Sequence, residues 1–516
     1  MSKQTRNVSG VSYHHAEEGY FDKRQLQRSA GFWGLWGIGV AAVISGDFSG
    51  WNFGIGEAGW GGLAVAGVVI VVMYFGMLFS IGEMSAAMPH TGGAYSFARS
   101  AMGPWGGFVT GLAETIEYVF TTGVIVLFSA LYLDSITDEL LGLSVGDDQW
   151  IWWIVLYAVF VGLNSAGAEI SFKFAIVVAI ISIGVLVLFA VLAIANGAVD
   201  FGRLMDIEPE PGNSEFLPYG WLGVLYALPF AMWFFLGIEE LPLAAEEAHS
   251  PQTDIPRAGI IGLITLCATG ALVFVLNPAV TGSAALGASG EPLLDGFRAF
   301  LSDDLAALLS LFALIGLLAS LQGIMFAYGR NMYSLSRAGY YPKFLSITGA
   351  RKTPWVALVA GAAFGFVVLL VVDILARRGG EAGEQATAIV LNIAVWGAVL
   401  AYVLQMVSYV LLRQKFPTAK RPYVSPVGVP GAVVAGVIAG ITFIGVFINP
   451  DFRPAIVAIA VVYAIGLALF GVVGRHRLIL SPEEEYAVSH GLHGDPEAEG
   501  YGGSVEDELL AEEDRG

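Results

Sequence analysis

One cysteine, Cys267, is the only thiol in this 516-residue chain. An intrachain disulfide and a thiolate metal cluster are therefore excluded. Charge is scarce too: 13% of residues are charged, where a soluble domain carries about a quarter. There is no Walker-type phosphate loop and no Ser-His-Asp arrangement in a motif context, so neither ATP hydrolysis nor an enzyme is expected. The first 29 residues lack the apolar core of a signal peptide, which leaves targeting to the first membrane helix. His90 and His249 have no metal-ligand spacing, and no metal or other cofactor is expected.

What is present is apolar: 56% of residues are hydrophobic, gathered in long runs that no single core could hide. Twelve runs are long enough to span a bilayer: 30–58, 62–87, 104–133, 149–166, 171–196, 219–243, 258–281, 305–329, 354–376, 386–412, 428–449 and 453–474. None alternates in the manner of a membrane β-barrel. The expected fold is an all-α integral membrane protein of twelve transmembrane helices, with membrane lipid as its surroundings.

The net charge of -19 argues against nucleic acid as a partner. Much of the acid lies in 475–516, where Glu483, Glu484, Glu485, Glu506, Asp507, Glu508, Glu512, Glu513 and Asp514 read as a solvated, disordered tail. With a cytoplasmic N-terminal tail at 1–29, the inside segments hold 20 of the 25 lysines and arginines. The outside loops then hold only Arg203, Arg298, Arg377, Arg378 and Arg453. The positive-inside rule thus puts both termini in the cytoplasm and the chain in the inner or plasma membrane.

Two spans are interrupted. The first breaks at Ile44-Ser45-Gly46-Asp47-Phe48-Ser49-Gly50-Trp51-Asn52, the sixth at Phe235-Leu236-Gly237-Ile238-Glu239-Glu240. Spans 1 and 6 correspond if 30–196 (helices 1–5) and 219–412 (helices 6–10) form an inverted five-helix repeat, with helices 11 and 12 at 428–474 appended. Broken first helices in each half place a substrate between the breaks, near the midplane. Asp47, Phe48, Ser49, Gly50, Trp51 and Asn52 from one break, and Trp233 and Gly237 from the other, are the candidate lining.

Asp47, Glu114, Glu117, Glu239 and Glu240 lie inside spans or beside breaks, and no lysine or arginine lies at comparable depth. A cationic substrate, a sodium ion or protons must supply the missing charge. Glu114 and Glu117, three residues apart, project from one side of helix 3, and neighbouring carboxylates make a proton carrier. Trp233 and Phe48 are placed to cover an ammonium group. Glu83, at the end of helix 2, is expected to pair with a loop arginine such as Arg330, and Glu240 to lie nearer the helix surface or to serve as a second cap.

Three motifs carry a resemblance. Gly82-Glu83-Met84-Ser85-Ala86-Ala87-Met88-Pro89-His90-Thr91-Gly92-Gly93-Ala94-Tyr95 resembles the helix 2–3 signature of the amino acid–polyamine–organocation permeases. Gly237-Ile238-Glu239 followed by Asp254-Ile255-Pro256-Arg257, and Gly329-Arg330-Asn331-Met332-Tyr333-Ser334 followed by Arg337-Ala338-Gly339, are similar to that family as well. Within it, the first break and the Glu114/Glu117 pair look most like the ethanolamine permeases.

The resemblance implies a LeuT-like fold and a secondary active transporter of ethanolamine or a similar small amine. It also implies a coupling or gating role for Glu239. Relatives that carry amino acids have a Gly-Ser-Gly-like turn where this chain has Gly50-Trp51-Asn52. Proton-coupled relatives often have a lysine in helix 5 where this chain has Ser182. Coupling to H+ or Na+, exchange and uniport all stay open, with Ser182 and Ser320 as hydroxyls for an ion site. An amino acid permease, or a receptor in this fold, are the alternatives.

Overall fold

The computed structural model describes residues 5–8, 10–14, 16–17, 19–377, 386–449 and 453–489. Among them, helices follow the apolar runs. They are α1 (Phe32–Val43), α2 (Phe53–Ala87), α3 (Gly93–Leu141), α4 (Trp150–Ser165), α5 (Ala168–Ala195) and α6 (Gly220–Met232). Then come α7 (Pro251–Thr281), α8 (Asp303–Arg337), α9 (Trp355–Arg377), α10 (Ala386–Lys415), α11 (Gly428–Ile448) and α12 (Arg453–Val472). Nine are long and apolar enough to cross a membrane alone. The three shorter ones are α4 and the first parts of the two interrupted spans, α1 and α6.

Glycines set where spans begin and end. Gly59, at φ 72°, splits α2, so Phe53 to Ala58 complete the first span beyond its break. Gly103, at φ 82° before Pro104, splits α3 into a short leading helix and a long spanning one. Such φ values suit a residue without a Cβ.

The packing has the symmetry of a repeat. α2 packs against α7, α3 against α8 and α4 against α9, so helices of the first five meet their counterparts in the second. The strongest associations join α3 to α10 and α8, and α2 to α6. α1 lies among α5, α7 and α8. The broken helices thus sit between a group containing α2 and α7 and a group built on α3, α8 and α10. This is the all-α, LeuT-like arrangement.

Both ends of the described chain meet on one face, here the terminal face. β1 (Thr5–Val8) pairs antiparallel with β2 (Val11–His14), and β2 pairs in parallel with β3 (Leu478–Ile479). A short helix, α13 (Pro482–Val488), follows. The expectation of a solvated charge run fails at Glu483, Glu484 and Glu485, each at most 3% exposed. Glu483 accepts from Arg337 and Ser334 at 2.6 Å. Glu484 accepts from Arg99 and Tyr95 at 2.6 Å. Arginines far upstream neutralise Glu483 and Glu484, which is why these two are buried. The acidic residues 506–514 lie outside the described residues.

Candidate functional site

The site begins with backbone. α1 stops at Val43, a single 3-10 turn covers Ile44–Asp47, and helix resumes at Phe53. A helix gap leaves N–H and C=O groups without intrahelical partners. Ser320 on α8 repairs part of this one: its hydroxyl accepts from Ser45 N–H at 2.8 Å and donates to the Ala41 carbonyl at 2.7 Å. Tyr132 on α3 donates to the Phe48 carbonyl at 3.3 Å. In the sixth span, Gly237 takes φ 110°, and Glu239 Oε2 accepts its N–H at 3.2 Å.

The two breaks touch. A Cβ on Gly46 would sit 2.1 Å from the Trp233 carbonyl oxygen, and one on Gly50 would sit 2.4 Å from Trp233 Nε1. Phe48 turns toward α8, where a Cβ on Gly316 would meet its ring at 2.3 Å. The structure therefore brings the segment 47–51 against Trp233, while Gly237 packs against Ala42 and Val43 at the end of α1 and Ile324 on α8.

Asp47 is 1% exposed, and neither carboxylate oxygen has a hydrogen-bond donor. It faces α7: Thr269 lies toward it, but the hydroxyl donates to the carbonyls of Thr265 and Leu266. A Cβ on Gly270 would be 3.4 Å from Asp47 Oδ1 and 3.1 Å from the Phe234 ring, which places Phe234 beside the carboxylate. Trp51 packs on Phe234 with ring centroids 5.1 Å apart and on Phe274 at 5.9 Å; its indole N–H has no partner. The result is an unpaired carboxylate next to an aromatic wall.

Ser49 and Asn52 turn away from that wall toward the connection between α7 and α8. Asn52 donates to the carbonyls of Leu286 and Ser289 at 2.7 and 2.8 Å, and Ser49 donates to that of Gly290 at 3.3 Å. Asn52 Oδ1 also accepts the Gly50 N–H at 3.1 Å. They fasten the first break to the loop over it.

Glu114 and Glu117 part company. Glu114 accepts from Asn331 at 3.0 Å, with the N–H groups of Ala94 and Tyr95 also directed at it. It thereby caps the short helix that leads α3, a natural place for a carboxylate. Glu117 instead lies beside Glu239 at the junction of α3 with the sixth span, and neither Glu117 Oε2 nor Glu239 Oε1 has a hydrogen-bond donor. Tyr402 on α10 donates to Glu117 at 3.2 Å, and Tyr74 on α2 lies 3.2 Å from the Tyr402 hydroxyl. Two carboxyl groups buried side by side repel when both are ionised, which favours a proton on one of them.

Two expectations need correction. Glu83 pairs with Arg413 at 2.6 Å and Arg421 at 3.1 Å, not with Arg330. Arg330 is engaged by Glu247 at 2.8 Å in a two-pronged contact, because the segment after the sixth break folds back beneath α8. Glu240 is 2% exposed with both oxygens lacking donors, so it is neither a surface residue nor a cap. The Ser182 hydroxyl donates to the Val178 carbonyl at 2.7 Å.

Tyr74, Tyr402, Phe274 and Thr269 were not singled out from the sequence. The one cue was a phenol set inside an apolar run, as in Val399-Leu400-Ala401-Tyr402-Val403.

With two broken helices meeting at an acidic, aromatic centre, the arrangement is that of a carrier. The amino acid permease family model matches residues 34–476. The chain belongs to this family. This permease is 26% identical over 433 residues to an uncharacterized transporter of Rhizobium meliloti, covering 83% of the chain and 88% of that protein. It is 25% identical to the L-asparagine permease of Escherichia coli, covering 81% of the chain and 80% of the relative. The gamma-aminobutyric acid permease of that organism is 27% identical over 349 residues, 64% of this chain and 71% of its own. Among solved structures, Mhp1, a nucleobase-cation-symport-1 family transporter with bromovinylhydantoin bound, aligns with TM-score 0.48 at 14% identity, over 84% of this chain and 97% of that one.

Proposed function

We propose that this permease carries ethanolamine or a similarly small amine, as its ammonium ion, across the cytoplasmic membrane by alternating access, with the terminal face inside. One observation supports the substrate above all: Asp47, buried at the first break with no donor on either oxygen, beside Trp51, Phe234 and Phe274. A charge at this depth costs several kcal/mol unless paired. An ammonium supplies the missing charge, and the aromatic faces add cation–π attraction. Among the described residues, no lysine or arginine forms an ion pair with Asp47, Glu114, Glu117, Glu239 or Glu240.

The coupling ion in this reading is the proton. Glu117 and Glu239 stand together at the junction of the moving sixth span with α3, a buried carboxyl pair suited to take up one proton, and Tyr402 donates to Glu117. The hydroxyls of Ser182 and Ser320, the candidates for a sodium site, each donate to a backbone carbonyl, and the Ser320 oxygen also accepts the Ser45 N–H.

An amino acid substrate is the second reading, supported by the names of the relatives. Against it, the Gly50 N–H in the break, a natural carboxylate ligand, is taken by Asn52. Uptake of labelled ethanolamine into proteoliposomes separates the two. Uptake blocked by unlabelled ethanolamine and not by neutral amino acids supports the amine. Robust amino acid flux without ethanolamine uptake overturns it. Binding without any flux would point to a receptor.

A further inference from the structure

Two cavities on the terminal face share a wall. One, of about 790 Å³, lies between the N-terminal segment and the loop after α8. It is lined by His14, Lys23, Arg24, Lys343 and Arg477, with Glu17 as its carboxylate. The other, of about 620 Å³, lies between α3, α12 and the same loop, and Phe108, Leu112, Tyr340, Leu469 and Phe470 make it apolar. Lys343 and Arg477 line both.

The apolar cavity borders the bilayer. Val461, Ile465, Leu469 and Val472 on α12 are each more than half exposed, so this helix presents a lipid-facing surface along the groove. Its inner wall is a rigid aromatic stack: Phe470 lies 4.5 Å from Phe108 and 5.3 Å from Tyr340, centroid to centroid. The basic cavity is equally fixed in shape. Arg24 donates to Ser346 and to the carbonyls of Tyr20 and Lys343. Lys343 lies 5.9 Å from the Tyr20 ring.

We propose that the groove binds one anionic phospholipid from the adjacent leaflet, its phosphate between Lys343 and Arg477 and an acyl chain along Phe108, Phe470 and Leu469. Charge complementarity selects the head group: among the described residues, four cations and one carboxylate, Glu17, line the basic cavity. Apolar walls running directly from those cations toward a lipid-exposed helix select a lipid over a free anion. The site also bears on the C-terminal segment, because Tyr340 in its wall donates to Glu484 at 3.1 Å, and Gly339 packs against the Arg477 carbonyl. A bound lipid therefore braces the docked α13.

The test is titration of the purified full chain with phosphatidylglycerol and, separately, phosphatidylcholine, read by native mass spectrometry. Phosphatidylglycerol is expected to bind preferentially. Lys343→Gln and Arg477→Gln should each weaken it about fivefold, and the pair about 25-fold. Leu469→Trp, which fills the groove without touching charge, should weaken it too. Lys343 is half-exposed and Arg477 exposed, and unchanged melting temperatures confirm folding. Equal binding of the two lipids, or an unaltered double variant, would overturn the proposal. Displacement of phosphatidylglycerol by inorganic phosphate with Leu469→Trp silent would also overturn it, making this a free-anion site.

Discussion

The carbonyl oxygen of Trp233 occupies the space a side chain on Gly46 would need, with the two broken helices in direct contact through that point. Neither can move along its axis without displacing the other. Gly46→Ala should therefore push the breaks apart. Overpacking of this kind costs about 1–3 kcal/mol. Reduced thermal stability with uptake lowered at least tenfold is the expected outcome, and wild-type flux in a stable variant would show that the contact is dispensable.

Asp47→Asn removes the charge and keeps the shape. Loss of one partner of a buried pair costs about 3–5 kcal/mol, so affinity for ethanolamine should fall by more than 100-fold. Equilibrium binding to the folded variant measures this directly. Unchanged affinity would rule out Asp47 as the counter-charge.

Glu117→Gln and Glu239→Gln each remove one carboxyl of the adjacent pair without adding charge. Uptake driven by a pH gradient should be lost in both, while exchange of labelled for unlabelled substrate, which needs no net proton movement, should persist. Proteoliposomes with and without an imposed gradient distinguish the two activities. Full gradient stimulation in either variant would place coupling elsewhere.

Glu483 gives a pH prediction on the terminal face. Burial raises its carboxyl, but Arg337, with His90 and the Ser334 hydroxyl, outweighs burial and holds it at about 2. A carboxyl lowered on folding contributes fully above its ordinary value of 4.5, and the contribution is lost as pH falls toward 2. Acidification from pH 7.5 to 5 should leave α13 docked. Hydrogen exchange over 478–488, corrected for intrinsic rates, should show equal protection at both values. Glu483→Gln, by contrast, should loosen the segment at every pH.

The spans were legible because a bilayer imposes a length that apolar runs reveal, and the breaks because Gly46, Gly50 and Gly237 interrupt those runs with polar neighbours. What pairs with what was not. Glu114 and Glu117 are close in sequence, yet Glu117 belongs with Glu239 on another span, and only the packing of α3 against the sixth span brings them together. Glu83 had a loop arginine such as Arg330 as its expected partner, and it pairs with Arg413 and Arg421 because α10 and the chain after it run alongside α2. A local charge run reads as solvated when its partners are distant. The cation for Glu484 is Arg99, which lies 385 residues earlier.

That separation has a consequence for biosynthesis. Arg99 emerges from the ribosome early, but the carboxylate that neutralises it is made 385 residues later. Through most of synthesis the terminal face must tolerate an arginine awaiting its burial site, by staying open to water. Its closure is then a late event, and a chain cut short before Leu478 would insert its twelve helices yet leave that face unsealed, a visible mark of incompleteness for quality control.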